Sequence, residues 1–189
     1  MSLLERNRAA LVVVDVQEGF RSYRSFADVA QACAKLVQAA RILGLPTLVS
    51  EQYPKGLGHT APELGLGGSG ADVLDGEGAP FEPPTMIEKT VFSAARADGF
   101  DLRGRSQAVV SGIETHVCVS QTVHDLLARG LEVHVPADAV GSRHAIDYER
   151  ALERLERAGA IVTTVEAALF ELLERAGTQE FKAVQKLVL

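Results

Sequence analysis

The sequence alternates short apolar runs with longer stretches of helical periodicity, and this alternation limits the fold to very few classes. Ala9–Asp15 is a nearly unbroken apolar run rich in valine. A strand without alternation is buried on both faces, as in a parallel sheet covered by helices on either side. Phe26–Leu43 then spaces Val29, Cys33, Leu36, Val37, Ala40 and Leu43 at helical intervals and stops at Gly44. Further strands are predicted at Pro46–Ser50, Met86–Lys89, Ala108–Gly112, Leu131–Val135 and Ala160–Thr164. Further helices are predicted through Val123, Leu126 and Leu127, over Tyr148–Ala158 and over Ala167–Arg175. Residues 51–84 read as loop. The expectation is an α/β fold, a three-layer α/β/α sandwich around a six-stranded parallel sheet, in a single domain over residues 1–189.

Composition narrows the partners. A net charge of −6 and scattered Lys and Arg speak against nucleic acid or an acidic membrane surface. No apolar stretch approaches the ~20 residues of a membrane span. The charged start Met1-Ser-Leu-Leu-Glu-Arg-Asn-Arg reads as no signal peptide, so a cytoplasmic location is expected. Cys33 and Cys118 are too few for a disulfide framework or a zinc cluster.

Three predicted strand ends carry chemistry. The first strand closes on Asp15, where a carboxylate after four apolar residues is partly desolvated and suits a proton acceptor; the alternative is a turn cap. The third strand closes on Lys89, which either pairs with an anion or is a solvated strand end. In Ala108-Val-Val-Ser-Gly-Ile-Glu-Thr-His-Val-Cys-Val-Ser-Gln-Thr, a buried strand runs into a glycine, and Cys118 follows at the first turn of the next helix. Backbone N–H groups and the helix dipole there favour a thiolate, and open α/β sheets bind their ligands at such places. An acid, a cation and a thiol at one sheet edge are the parts of an activated nucleophile. Elsewhere Cys33 is expected in the core and His134 in packing, while His116 and His124, eight residues apart, form no helical metal pair. Gly65, Gly67, Gly68 and Gly70 lack the context of a phosphate loop.

With these residues in view, the chain resembles the isochorismatase-like cysteine hydrolases, a superfamily with a Rossmann-like fold that includes nicotinamidases and N-carbamoylsarcosine amidases. Asp15-x-Gln17-x-x-Phe20, Glu88-Lys-Thr-Val-Phe-Ser, Ser111-Gly-Ile-Glu-Thr-His-Val-Cys-Val and Pro136-Ala-Asp-Ala-Val-Gly-Ser-Arg match its motifs in order over residues 9–165. Glu51-Gln-Tyr-Pro-Lys-Gly-Leu-Gly-His and Leu169-Phe-Glu-Leu-Leu-Glu-Arg-Ala-Gly-Thr resemble the branch near isochorismatase domain-containing protein 2. The resemblance implies an Asp15–Lys89–Cys118 triad, in which Asp15 takes the thiol proton and Cys118 forms a thioester with a carbonyl carbon. It also implies a cis peptide at Ile113–Glu114 and an oxyanion site made by the backbone N–H groups of Glu114 and Cys118. Phe20 and Tyr53 become candidates to line a pocket for a small-molecule substrate, and a homo-oligomer is implied. Nicotinamidases carry an Asp-x-His metal motif after strand two. This chain has Ser50-Glu-Gln-Tyr-Pro there with His59 nearby, so neither a metal nor another cofactor is expected. The rival expectations are a non-catalytic scaffold and a thiol redox protein on the same fold.

Overall fold

The structure, a computed structural model, describes residues 2–66 and 82–189; Gly67, Gly68, Gly70 and Pro80 lie outside the described residues. Strands β1 (Ala9–Val14), β2 (Thr47–Gln52), β3 (Thr85–Lys89), β4 (Gln107–Ile113), β5 (Glu132–Pro136), β6 (Val140–Gly141) and β7 (Ile161–Thr163) form one sheet of order β3-β2-β1-β4-β5-β7, with β6 beside β4. Every strand pairing is parallel. The helices are α1 (Phe26–Leu43), α2 (Pro54–Leu57), α3 (Ser120–Ala128), α4 (Ala145–Arg157), α5 (Val165–Leu173) and α6 (Gln179–Val188).

The valine run of β1 explains the layering. Leu11 and Val13 belong to a core shared with α1, α5 and α6, whereas Ala10, Val12 and Val14 belong to a second core with α3 and α4. Alternate side chains of a strand leave opposite faces, so an unbroken apolar run builds two cores at once. All six residues of β1 are buried. Burying one such aliphatic side chain is worth about 2 kcal/mol, so β1 anchors both layers.

The expected three-layer sandwich is present, with differences in detail. The sheet has seven strands, not six. β5 pairs with β4 only along Gln107–Val109, and the two-residue β6 takes over beside Gly112 and Ile113. A two-residue strand carries no periodicity to read. Residues 51–84 are not loop throughout, because β2 runs on to Gln52 and α2 follows. Helix α5 starts at Val165 rather than Ala167, where Asp138 accepts from the Val165 N–H at 2.8 Å and Thr164 caps the Ala167 N–H at 3.3 Å. Helix α6 was not anticipated. It packs Val184 and Phe181 onto the α1 side of the sheet. Cys33 is fully buried in that core.

Two positions in the sheet generate predictions. Gly112 has φ +120°, and a Cβ there would lie 1.9 Å from the carbonyl oxygen of Val14, its partner across β1. Gly112→Ala therefore forces β1 and β4 apart next to the site, and it is expected to cost at least about 3 kcal/mol in urea denaturation. His134 is buried, and neither ring nitrogen has a hydrogen-bond partner among the described residues. Burial pushes its pKa down, against a smaller opposing pull from Glu171 and Glu132. The unfolded chain thus binds the proton more readily, so stability is full above the unfolded value near 6.5 and falls as the pH drops below it. The native protein should lose more stability between about pH 7 and about pH 5 than His134→Leu does. Parallel pH–stability curves would contradict this assignment.

Candidate active site

The strand order reverses between β1 and β4. From β1 the chain builds outward through β2 to β3, then returns to place β4 on the other flank of β1 and continues to β5 and β7. At such a reversal the connections after the two central strands leave in opposite directions and open a crevice at the carboxyl edge of the sheet. Asp15 follows β1 and Cys118 follows β4, one on each side of that opening.

β1 ends because Asp15 turns into the left-handed region, at φ 53°. An aspartate tolerates this conformation better than most residues. The turn lays its carboxylate over the end of β2, where Oδ1 accepts from the Ser50 hydroxyl at 2.7 Å. Oδ2 accepts from Lys89 Nζ, also at 2.7 Å. Lys89 stands two strands away, a span of about 10 Å, which its four-carbon stem crosses above β2. Both charged side chains are fully buried. The ammonium also donates to Gln52 Oε1 at 2.7 Å and to the Phe92 carbonyl at 2.8 Å, with the Val91 carbonyl at 3.4 Å.

Cys118 is on a wide turn, not in the first turn of an α-helix as expected. Thr115–Val119 form a π-helical turn closed by Val119 N–H donating to the Glu114 carbonyl at 3.2 Å, and α3 begins only at Ser120. The peptide bond before the turn, Ile113–Glu114, is cis. Cys118 is 6% exposed, and its Sγ lies 4.0 Å from Gln52 Oε1. Its thiol is not held low. Burial and then the facing Asp15 carboxylate push its pKa up to about 12, against a smaller pull from Lys89. The expected dipole-stabilised thiolate is therefore replaced by a resting thiol beside a buried carboxylate. Burial also raises the Asp15 pKa, with Lys89 and Ser50 opposing it. Asp15, Lys89 and Cys118 thus share one buried corner at the carboxyl edge of the sheet.

Gln52 is the residue that sequence reasoning missed. Its main chain is held by Gln17, which is fully buried: Gln17 Oε1 accepts from the Gln52 N–H at 2.7 Å, and Gln17 Nε2 donates to the Gln52 carbonyl at 3.1 Å and to the Gly58 carbonyl at 2.6 Å. The Gln17 of the Asp15-x-Gln17 pattern was the available signal, since a glutamine that close to a buried strand end needs polar partners.

The remaining candidates divide. Tyr53, at φ 40°, lines a cavity of about 500 Å³ with Lys55, Glu88, Lys89, Val91 and Arg96. Cys118 is not among the lining residues of that cavity, which touches the outer side of β3. Phe20 faces elsewhere and packs on Tyr23, with ring centroids 5.3 Å apart, against the α1 core. His59 pairs with the nearly buried Glu51 at 3.1 Å, and Glu51 also accepts from the Thr60 backbone and hydroxyl at 2.6 and 2.7 Å. His116 bonds Ser142 at 3.0 Å, and Glu114 Oε1 accepts from the Arg143 N–H at 3.2 Å, so the loop after β6 is tied to the turn that carries Cys118.

Known proteins are similar to this chain. An isochorismatase domain family model matches residues 9–167. Isochorismatase domain-containing protein 1 of Salmo salar is 42% identical over 92% of the chain, which spans 58% of that relative's length. Isochorismatase domain-containing protein 2 of Bos taurus is 40% identical, with 94% of this chain and 81% of that protein covered. A solved structure described as MAR1 ribonuclease from Caenorhabditis elegans superposes with a TM-score of 0.87 at 41% identity, covering 99% of this chain and 92% of the other.

The buried ion pair yields a test of its own. Lys89→Met strands the Asp15 carboxylate without its cation and is expected to cost about 3–5 kcal/mol near neutral pH. In the variant the folded Asp15 pKa stays above its unfolded value near 3.9. The loss should therefore grow as the pH rises from about 4 toward neutrality. Adding Asp15→Asn should recover much of the stability, as a double-mutant cycle in urea would measure.

Proposed function

The chain belongs to the isochorismatase family, and we propose that within it the protein is a metal-independent cysteine hydrolase that cleaves a small amide-like C–N bond through a Cys118 thioester. The observation that carries this reading is the buried Lys89–Asp15 ion pair at the strand reversal with the Cys118 thiol facing it. Asp15 accepts the thiol proton while Ser50 and Lys89 hold both of its oxygens, and each oxygen keeps a lone pair for that proton. The sulfur attacks the carbonyl carbon, and the carbonyl oxygen takes the charge. Backbone N–H groups of Glu114 and Cys118 receive that oxyanion, each such donor being worth about 3 kcal/mol to a transition state. The C–N bond breaks as the nitrogen takes the proton from Asp15, leaving an acyl thioester. Water, deprotonated by Asp15, then adds to the thioester, the C–S bond breaks, and the acid and the thiol are restored.

A raised thiol pKa fits this scheme. The proton leaves sulfur only when carbonyl attack consumes the charge, so the resting protein holds no free nucleophile. A net charge of −6 and a nearly closed thiol favour a small molecule over RNA, and the ribonuclease description stays with the nematode protein. Tyr53, which lines the neighbouring cavity, is the aromatic candidate for substrate contact. The reading includes one domain over residues 1–189, a homo-oligomer and a cytoplasmic location. Exposed Met86, Val91 and Phe92 near the edge strand β3 support self-association. No helix among the described residues is long and apolar enough to cross a membrane.

A screen of small amides and N-carbamoyl compounds, with an RNA oligonucleotide alongside, tests the reading. On the best substrate, Cys118→Ala and Cys118→Ser should each lose at least about a thousandfold in kcat/KM, because a hydroxyl is far less acidic than a thiol and Asp15 is a weak base. Cys118→Ala should still bind, and a chelator should leave the rate unchanged. Activity that survives Cys118→Ala, or that chelation abolishes and zinc restores, would overturn the thioester route. Fast thiol labelling with no hydrolysis would favour the redox or scaffold roles.

A further inference from the structure

A lysine ammonium has three protons to donate. At Lys89 three short acceptors match them: Asp15 Oδ2 at 2.7 Å, Gln52 Oε1 at 2.7 Å and the Phe92 carbonyl at 2.8 Å. With its three short bonds taken, the ammonium, buried beside the Cys118 sulfur, keeps only a weaker hold on it, smaller than the opposing effects of burial and Asp15. Two of those acceptors are not free to vary, since Asp15 is the proton acceptor and Phe92 offers its main chain. Gln52 is the third. The lysine cannot accept, so the Gln52 amide must turn its oxygen toward it, and its nitrogen donates to the Thr90 carbonyl at 3.0 Å. That same oxygen faces the sulfur at 4.0 Å and presents the negative end of its dipole.

We propose that Gln52 is a positioning residue which takes the third ammonium proton, holds Lys89 on Asp15, and so weakens the hold of Lys89 on the sulfur and adds to what keeps Cys118 a thiol. This rests on the cysteine-hydrolase reading and adds a regulator of the same site. The charged groups facing Cys118 are Asp15, at the end of β1, and Lys89, at the end of β3. Gln52, at the end of β2, is the neutral group between them. Removing its carbonyl frees an N–H for the thiolate and takes away an opposing dipole, and both changes favour ionisation. Replacing the amide with a carboxylate keeps the lysine engaged and adds a negative charge near the sulfur, which opposes ionisation.

The test needs no substrate. Iodoacetamide labelling is followed from about pH 6 to about pH 10, below the thiol pKa, where the rate at each pH reports the thiolate fraction, with peptide mass spectrometry separating Cys118 from Cys33. Gln52→Met should label Cys118 about tenfold faster than the native protein at each pH, as a thiol pKa lower by about one unit requires. Gln52→Glu should label it more slowly. Opposite changes from two substitutions of one side chain are not what a merely structural role produces. A Cys118 rate in Gln52→Met at or below that of the native protein, or changes of one sign in both variants, overturns the inference. Gln17 holds the main chain at this position. If Gln52→Met fails to fold, an unchanged rate in Gln52→Glu overturns it alone. Native Cys118 that labels no faster than Cys33 across the range overturns the cysteine-hydrolase reading itself, a different result from labelling whose rate ignores Gln52.

Discussion

The ion pair between Lys89 and Asp15, buried above the end of β2, is the interaction on which the rest of the site depends. Two opposite charges without water are tolerable only when every remaining donor and acceptor is matched. Ser50, Gln52 and the Phe92 carbonyl supply those matches. Each of them is in place because β1, β2 and β3 run parallel in a fixed register, with Val14 opposite Ser50 and Gln52 opposite Lys89. A slip of one residue would turn these side chains to the opposite face and leave two bare charges inside the protein. The electrostatics of the site and the register of the sheet are therefore one constraint.

The same close fit explains the second half of the sheet. β4 approaches β1 so tightly at Gly112 that the carbonyl of Val14 fills the space a side chain would need. The π-helical turn that carries Cys118 begins three residues beyond this contact and is tied laterally by Glu114 to Arg143 and by His116 to Ser142. Cys118 itself is counted among the apolar side chains of the α3 face of the core. Packing and chemistry are thus not separable at this residue. Its high thiol pKa follows from being a core residue that faces the Asp15 carboxylate at that core's edge.

Much of this was legible in the sequence, and what was not has physical reasons. Unbroken apolar runs announced a sheet buried on both faces, and the strand ends Asp15 and Lys89 stood out because charge follows a hydrophobic run. Gln52 did not stand out. It is a neutral polar residue at the end of a strand that the pattern stopped at Ser50, and its importance comes from a partner on β3, distant in sequence. The thiolate expected at a helix start was a fair reading of local dipoles, but desolvation and the Asp15 charge outweigh them. Helix α6 had a cap signal in Thr178, whose hydroxyl accepts from the Phe181 N–H at 2.9 Å. Its mixed, largely polar surface obscured the few buried positions.

The reversal of strand order also determines how the protein can be divided. Asp15, Gln52 and Lys89 all precede the connection between β3 and β4, and Cys118 follows it. A cut in that connection separates the entire charged frame, on one fragment, from the sulfur, on the other. Neither piece holds a site, and neither can hide its exposed edge without the other, because β1 and β4 are each other's neighbours. Recovered thiol behaviour in a mixture of the two fragments would report the docking of one strand against another, so the chain contains the design of a two-part complementation system.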